Sequence, residues 1–223
     1  MSVTDTTAEL PFSGVPARIL CQPDAFGAWL PSVWQQYSPS EKAAWLSLWS
    51  HWLFADTLIN WAVRLCCEQR ASPLWEFNGQ LQLNHHGYPE TWLNAGAPGP
   101  QLPLDRQQQQ LEQLISQFID PVCQTLATFA GHNLTVFWSN AAVRLWQGMQ
   151  RAAEKQADVQ LLEALFAMPR LPDGQVNRLY APLRTLSGPD GSPRQQRRHC
   201  CLIFRLDGHQ KCPSCPLLKS ENS

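Results

Sequence analysis

Four cysteines near the end of the chain, Cys200, Cys201, Cys212 and Cys215, fall within sixteen residues; ten residues lie between Cys201 and Cys212 and two between Cys212 and Cys215. Thiolates are soft ligands that select zinc, copper(I) or iron-sulfur centres. Two cysteines two residues apart can close on one metal through a tight turn, here helped by Pro213, while Pro216 stops a helix from propagating. Adjacent side chains of an extended chain point to opposite faces, so Cys200 and Cys201 are awkward partners on a single tetrahedral ion. A [2Fe-2S] centre spreads its terminal positions over a larger object and tolerates such a pair better, without the spacing saying which cysteines would share an iron. A structural zinc that staples a C-terminal ribbon uses the same four thiolates and stays open as the alternative.

Charge around these cysteines is lopsided. Between Arg194 and Lys219 the cations are Arg194, Arg197, Arg198, Arg205, Lys211 and Lys219, and Asp207 is the sole acid. Cations beside an all-thiolate centre offset its negative charge and favour its reduced state, and Arg197, Arg198, Arg205 and Lys211 are candidates for drawing in an anionic substrate or an acidic electron donor. Simple solubility explains them as well. His199 and His209 flank the cysteines, but four thiolates already complete a ligand set. Cys66 and Cys67, a second adjacent pair, continue an apolar helical stretch and read as core filling, as do the isolated Cys21 and Cys123.

The elements that must carry this segment are mostly helical. Ser38, Pro39 and Glu41 form a capping box that predicts a long helix. In it Trp45, Leu48, Trp49, Trp52, Leu53, Leu58, Ile59, Ala62 and Leu65 recur at helical spacing, while Asp56, Asn60 and Arg64 line a polar stripe, as a ladder facing water or as a cavity wall. Trp75, Phe77, Leu81 and Leu83 around Asn78-Gly79 predict a β-hairpin turning at that dipeptide. Pro89 to Pro103 reads as a loop with His85, His86 and Trp92 at its entrance, a place where a ligand could be met. Helices are expected over Asp105–Ala130, Ser139–Ala157 and Asp158–Ala167, and Pro169 to Pro193 reads as a connector.

Composition limits the function classes. A chain of 223 residues with net charge -1 and 44% hydrophobic residues supports one well-filled core and argues against nucleic-acid binding. The stretch Ala43–Cys67 is interrupted by His51, Asp56, Asn60 and Arg64, so no transmembrane segment is expected. Met1–Glu9 has no basic cluster and no apolar core, so no secretory signal is expected there and the thiols are taken as cytosolic. No glycine-rich nucleotide fingerprint is visible, so electrons would arrive from a separate protein.

The run Arg197-Arg198-His199-Cys200-Cys201-Leu202 and the run Cys212-Pro213-Ser214-Cys215-Pro216-Leu217 resemble the C-terminal signature of the FhuF-type ferric-siderophore reductase family. Asn177–Arg184 (NRLYAPLR), Arg205-Leu206 and, more weakly, Trp138–Asn140 extend the resemblance. It implies that Cys200, Cys201, Cys212 and Cys215 bind a [2Fe-2S] cluster. It further implies an iron-sulfur oxidoreductase that passes single electrons to a ferric siderophore of hydroxamate type, fed by a ferredoxin or flavoprotein reductase. Such a protein would work in the cytoplasm, with transient contact at the inner face of the inner membrane compatible with it. The competing reading is a zinc-stabilised siderophore- or protein-binding module without redox activity. The expected architecture is mainly α with a small β-hairpin (α+β): a mobile N-terminus (1–16), a helical substrate-binding body (17–170), a connector (171–193) and a C-terminal cluster segment (194–223).

Overall fold

Among the described residues, the first element begins at Val15. The computed structural model describes residues 14–131, 133–187 and 192–218, so residues 1–13 of the expected N-terminal segment lie outside the described residues. A two-residue strand β1 (Val15–Pro16) leads through a 3-10 turn (Ala17–Cys21) into α1 (Pro23–Trp29) and the single turn α2 (Ser32–Gln35), which deliver the chain to α3 (Pro39–Glu68).

The start of α3 follows its sequence signal. Ser38 Oγ accepts from Glu41 N at 3.4 Å, and Glu41 Oε2 accepts from Ser38 N at 2.9 Å, so two otherwise unpaired backbone donors are satisfied reciprocally. The helix runs 30 residues and ends where Gln69 turns left-handed at φ 54°. Trp45, Leu46, Trp49, Leu53, Phe54, Leu58, Trp61, Ala62 and Leu65 are all buried, which makes α3 the central rod of the core rather than a surface helix.

After the sheet strands β2 (Gln80–Leu83) and β3 (Pro89–Leu93) comes one long helical segment built from α4 (Leu104–Gln113), a π turn (Leu114–Ile119) and α5 (Asp120–Phe129). Pro121 explains the π turn. A proline inside a helix lacks the N–H and crowds the carbonyl one turn back, and a wider turn relieves both. The expected apolar face, with Leu114, Ile115, Phe118, Ile119, Val122 and Leu126, is buried. Two further helices follow, α6 (Leu134–Glu154) and α7 (Gln160–Ala167).

α6 packs along α3, and the two helices approach closely at Gly148. A Cβ added there would lie 2.7 Å from the Ala62 Cβ and 2.8 Å from the Ile59 carbonyl oxygen. Helix propensity alone favours alanine over glycine by about 1 kcal/mol, but overpacking a filled core costs about 1–3 kcal/mol. Gly148→Ala is therefore expected to lower the urea midpoint; a raised midpoint would show that the two helices part without cost.

The hairpin sits one step later than its turn signal suggested. β2 pairs antiparallel with β3 (Leu81 opposite Trp92) and with β1 (Val15 opposite Leu81), giving the order β1-β2-β3. The turn is at Asn84–Gly87, where the Asn84 side-chain oxygen accepts from His86 N and Tyr88 N at 3.0 and 3.1 Å. Asn78-Gly79 instead lies before β2. Gly79 has φ 80° and faces the Leu93 carbonyl so closely that a Cβ would collide with it, and the Trp92 indole N–H donates to Asn78 O at 2.6 Å. Pro89–Leu93, expected as loop, is therefore strand.

The expected connector also contains structure. β4 (Leu183–Ser187) pairs antiparallel with β5 (Pro193–Arg197) in register from Leu183–Arg197 to Ser187–Pro193. This second, two-stranded sheet leads directly into the cysteine segment. The helical body with small antiparallel sheets agrees with the α+β expectation, and no helix among the described residues is long and apolar enough to cross a membrane.

Candidate metal centre

The cysteine segment is irregular, and backbone contacts rather than helix or strand hold it. Arg197 N donates to Ser214 O at 2.8 Å, and Gln196 Nε2 donates to Cys215 O at 3.4 Å, so β5 lies against the turn that carries Cys212 and Cys215. Cys215 N donates to Cys212 O at 2.9 Å, closing the tight turn that the Cys-x-x-Cys spacing requires. On the other side, Ser47 Oγ of α3 donates to Cys201 O at 2.5 Å, and Leu206 is buried in the main core. The segment is thus tied to α3 through Ser47 and to the main core through Leu206.

Leu202, directly after the cysteine pair, adopts the left-handed conformation at φ 62°, and its N–H points to Cys200 Sγ at 3.4 Å. This twist takes the chain out of the extended conformation directly after the cysteine pair. The Cys201 thiol pulls the Cys212 pKa down to about 5, and Cys212 together with burial pushes Cys201 up. Burial first, and Cys200 with it, raises Cys215. Cys201 and Cys215 are buried, whereas Cys200 and Cys212 are half-buried at the outer edge.

Arg197 is placed differently from the other cations. It was expected to meet a substrate or an electron donor, but it points inward and is only 3% exposed, because β5 turns it beneath the cysteines. Its NH1 is 2.8 Å from His51 Nε2, and its NH2 donates to Ser139 Oγ at 3.0 Å and to Asn140 Oδ1 at 2.6 Å. Asn140 in turn donates to Ser47 O, Ser47 Oγ and Ser50 Oγ. Burial lowers the Arg197 pKa, and Cys201, Cys212, Cys200 and Cys215 oppose that by favouring its charge. Burial holds the His51 pKa well below its ordinary value, and Arg197 and Arg144 add to this, so the imidazole stays neutral beside the guanidinium.

Two observations test whether these residues fit a two-iron centre. All four cysteines favour the charge of the one buried guanidinium of Arg197, as ligands gathered around one shared centre would. Arg197 Nε is buried without a partner among the described residues, in a side chain whose charge all four cysteines favour. An unpaired buried donor of this kind calls for an anionic acceptor, and cluster sulfur would supply one. The fit is good.

The remaining sequence candidates spread out. Arg198, exposed, lies over the Tyr180 ring at 4.8 Å; Arg205 and Lys211, also exposed, flank the Phe204 ring at 6.0 and 5.9 Å. His199 lines a cleft beside α6, whereas His209 joins His85 and His86 in an aromatic recess of about 540 Å³ with Tyr37, Trp45 and Trp52. Asp56, Asn60 and Arg64 do not form an ion-pair ladder. Asp56 accepts from Trp92 N at 2.9 Å and Arg64 donates to Ser72 Oγ at 3.1 Å, and the three line another cavity of about 540 Å³.

Burial, Cys67 and Asp158 push the Cys66 thiol up to about 12. Along α3 it is nineteen residues past Ser47, about 28 Å at 1.5 Å per residue. Cys123 is buried and its thiol is pushed up, and Cys21 donates to Arg18 O at 3.2 Å. Sequence reasoning missed Ser47, Ser50 and His51 as a functional set. Their signal was a row of polar residues at helical spacing on an otherwise buried helix.

Residues 197–217 match the family model described as the FhuF 2Fe-2S C-terminal domain. A ferric siderophore reductase of Escherichia coli (strain K12) is 27% identical over 176 residues, covering 77% of this chain and 65% of that protein. The chain thus spans less than two thirds of that relative's length. All four cysteines fall inside the matched segment, and the group this segment is built for is a [2Fe-2S] cluster.

Proposed function

We propose that this protein is a ferric-siderophore reductase of the cytoplasm, holding its [2Fe-2S] cluster with Cys200, Cys201, Cys212 and Cys215 and reducing siderophore-bound Fe(III) to Fe(II). The observation that carries this reading is that all four cysteines lie in a segment that matches a [2Fe-2S] domain, over a buried Arg197 whose charge they favour.

The bound cluster supplies one electron at a time, taken from an external ferredoxin or flavoprotein reductase. The protein's own residues do the rest. Cys200 and Cys212 at the outer edge bring the centre close to solvent, where a bulky chelate can approach, while Cys201 and Cys215 anchor it to the core. Arg197 holds a positive charge beneath it, and Ser47 fixes the backbone at Cys201. Fe(III) is a hard ion gripped by anionic oxygens; adding one electron gives a larger, less charged Fe(II) whose bonds to those oxygens are weaker. No general acid is needed for that step, so the chain must position and tune rather than form covalent bonds.

Anaerobic purification tests this reading. The protein is expected to be coloured, to bleach on dithionite, and then to release Fe(II) from ferric siderophores, hydroxamate and catecholate, into a ferrous-specific chelator. Colourless protein with stoichiometric zinc would replace the proposal with a zinc-stapled binding module.

A further inference from the structure

We propose that the cleft between α6 and the cysteine segment is the chelate site, and that it takes a net-anionic ferric siderophore bearing outward carboxylate or catecholate oxygens. This deepens the reductase reading and rests on it. The cleft encloses about 440 Å³, within the range of small-molecule sites, and none of the described residues that line it is acidic.

Three features select the ligand. Trp138 lines the cleft and is only 5% exposed, and its indole N–H has no hydrogen-bond partner among the described residues. An indole nitrogen is a donor only, so its natural complement is an oxygen brought by the occupant. Second, Arg198 rests on the Tyr180 ring at 4.8 Å and Arg178 lies over the Trp138 ring at 6.0 Å. An aromatic face fixes the guanidinium plane and leaves its N–H edge free for paired oxygens. Third, the cleft adjoins the metal centre: His199 in its wall precedes Cys200, and Ser139 in its floor accepts from Arg197 NH2 at 3.0 Å.

Charge decides between chelate classes. Three hydroxamates neutralise Fe(III), leaving a neutral complex with little to offer two arginines. Catecholate and carboxylate siderophores leave the complex negative, with the excess charge on peripheral oxygens that a fixed guanidinium edge can hold.

The test uses the whole 223-residue, cluster-loaded chain and redox-inert gallium(III) complexes, with affinity read by calorimetry. Gallium tris-catecholate, a gallium α-hydroxycarboxylate complex and neutral gallium tris-hydroxamate are compared; the first two distinguish the oxygen sources. At least one anionic complex is expected to bind about tenfold or more tighter than the neutral one. Arg178→Gln with Arg198→Gln is expected to remove that preference, and Trp138→Phe to weaken the same complex several-fold. If the double variant loses its visible spectrum, Arg178→Gln alone carries the test, since Arg178 is exposed and outside the cysteine segment.

Equal affinity for all three complexes, or variants that bind like the parent, would overturn the cleft assignment. So would variants that lose affinity for an acidic ferredoxin but not for the chelate, which would make the cleft a protein-docking site. Ferric chelates reduced normally by such variants leave the reductase reading standing while the cleft assignment fails. Anionic gallium complexes bound as expected by a protein that reduces no ferric chelate leave the cleft standing while the reductase reading fails.

Discussion

Cys212→Ser is expected to reduce cluster content to background, read as visible absorbance and as iron and sulfide per chain, while Cys66→Ser leaves both unchanged. Cys212 is the cysteine whose pKa the fold lowers, through the contact with Cys201, so it is the thiolate most prepared for metal. Serine keeps the size but offers a hard, weakly acidic oxygen in place of a soft sulfur, and one iron loses half of its protein ligands. Cys66 differs in each respect. Its thiol is pushed up to about 12 by burial, Cys67 and Asp158, and it sits far along α3 from Ser47, where the cysteine segment docks. Full cluster content in Cys212→Ser would remove that residue from the ligand set, and loss in Cys66→Ser would bring the second pair into it.

The segment that matches a [2Fe-2S] domain was legible because its information is local. Four cysteines within sixteen residues, the proline after the knuckle and the cations around them can all be read without knowing the fold. The start of α3 was legible for the same reason, since a capping box lies within four residues. Asn78-Gly79 shows where local reading stops. The dipeptide accepts the backbone of a hairpin turn, but the Trp92 indole bonds to Asn78 O and the Leu93 carbonyl packs on Gly79, so tertiary contacts fixed it at a strand entrance and Asn84 took the turn.

The polar floor under the cysteines was not legible. Arg197 meets His51 across 146 positions and Asn140 meets Ser47 across 93, and no spacing rule connects residues that far apart. Exposed cations and one buried cation look alike in sequence, so Arg197, Arg198, Arg205 and Lys211 formed a single group. The structure separates them by burial, and burial sets how strongly each charge acts on the centre.

That separation leads to the largest effect expected from a residue that is not a ligand. Arg197→Met keeps an unbranched side chain of similar length and removes the charge. A positive charge favours the more negative, reduced state, so its removal lowers the reduction potential. A unit charge a few ångströms away, at an effective dielectric of about 20, is worth about 2–4 kcal/mol. At about 59 mV per 1.4 kcal/mol for one electron, that is a fall on the order of 100 mV. The variant also leaves His51, Ser139 and Asn140 short of a partner in the core, and breaking a buried charged network costs about 3–5 kcal/mol. Arg197→Lys separates the two effects. Its ammonium keeps the charge, so the potential is expected to stay near that of the parent; its three donors cannot reproduce the planar fork, so much of the stability is still lost. Redox titration of both variants, beside their urea midpoints, reads the two quantities independently. A potential unmoved in Arg197→Met would mean that the buried guanidinium serves only to pin α3 and α6 to the cysteine segment. An equal fall in both variants would mean that its effect comes from hydrogen bonding to cluster sulfur rather than from charge.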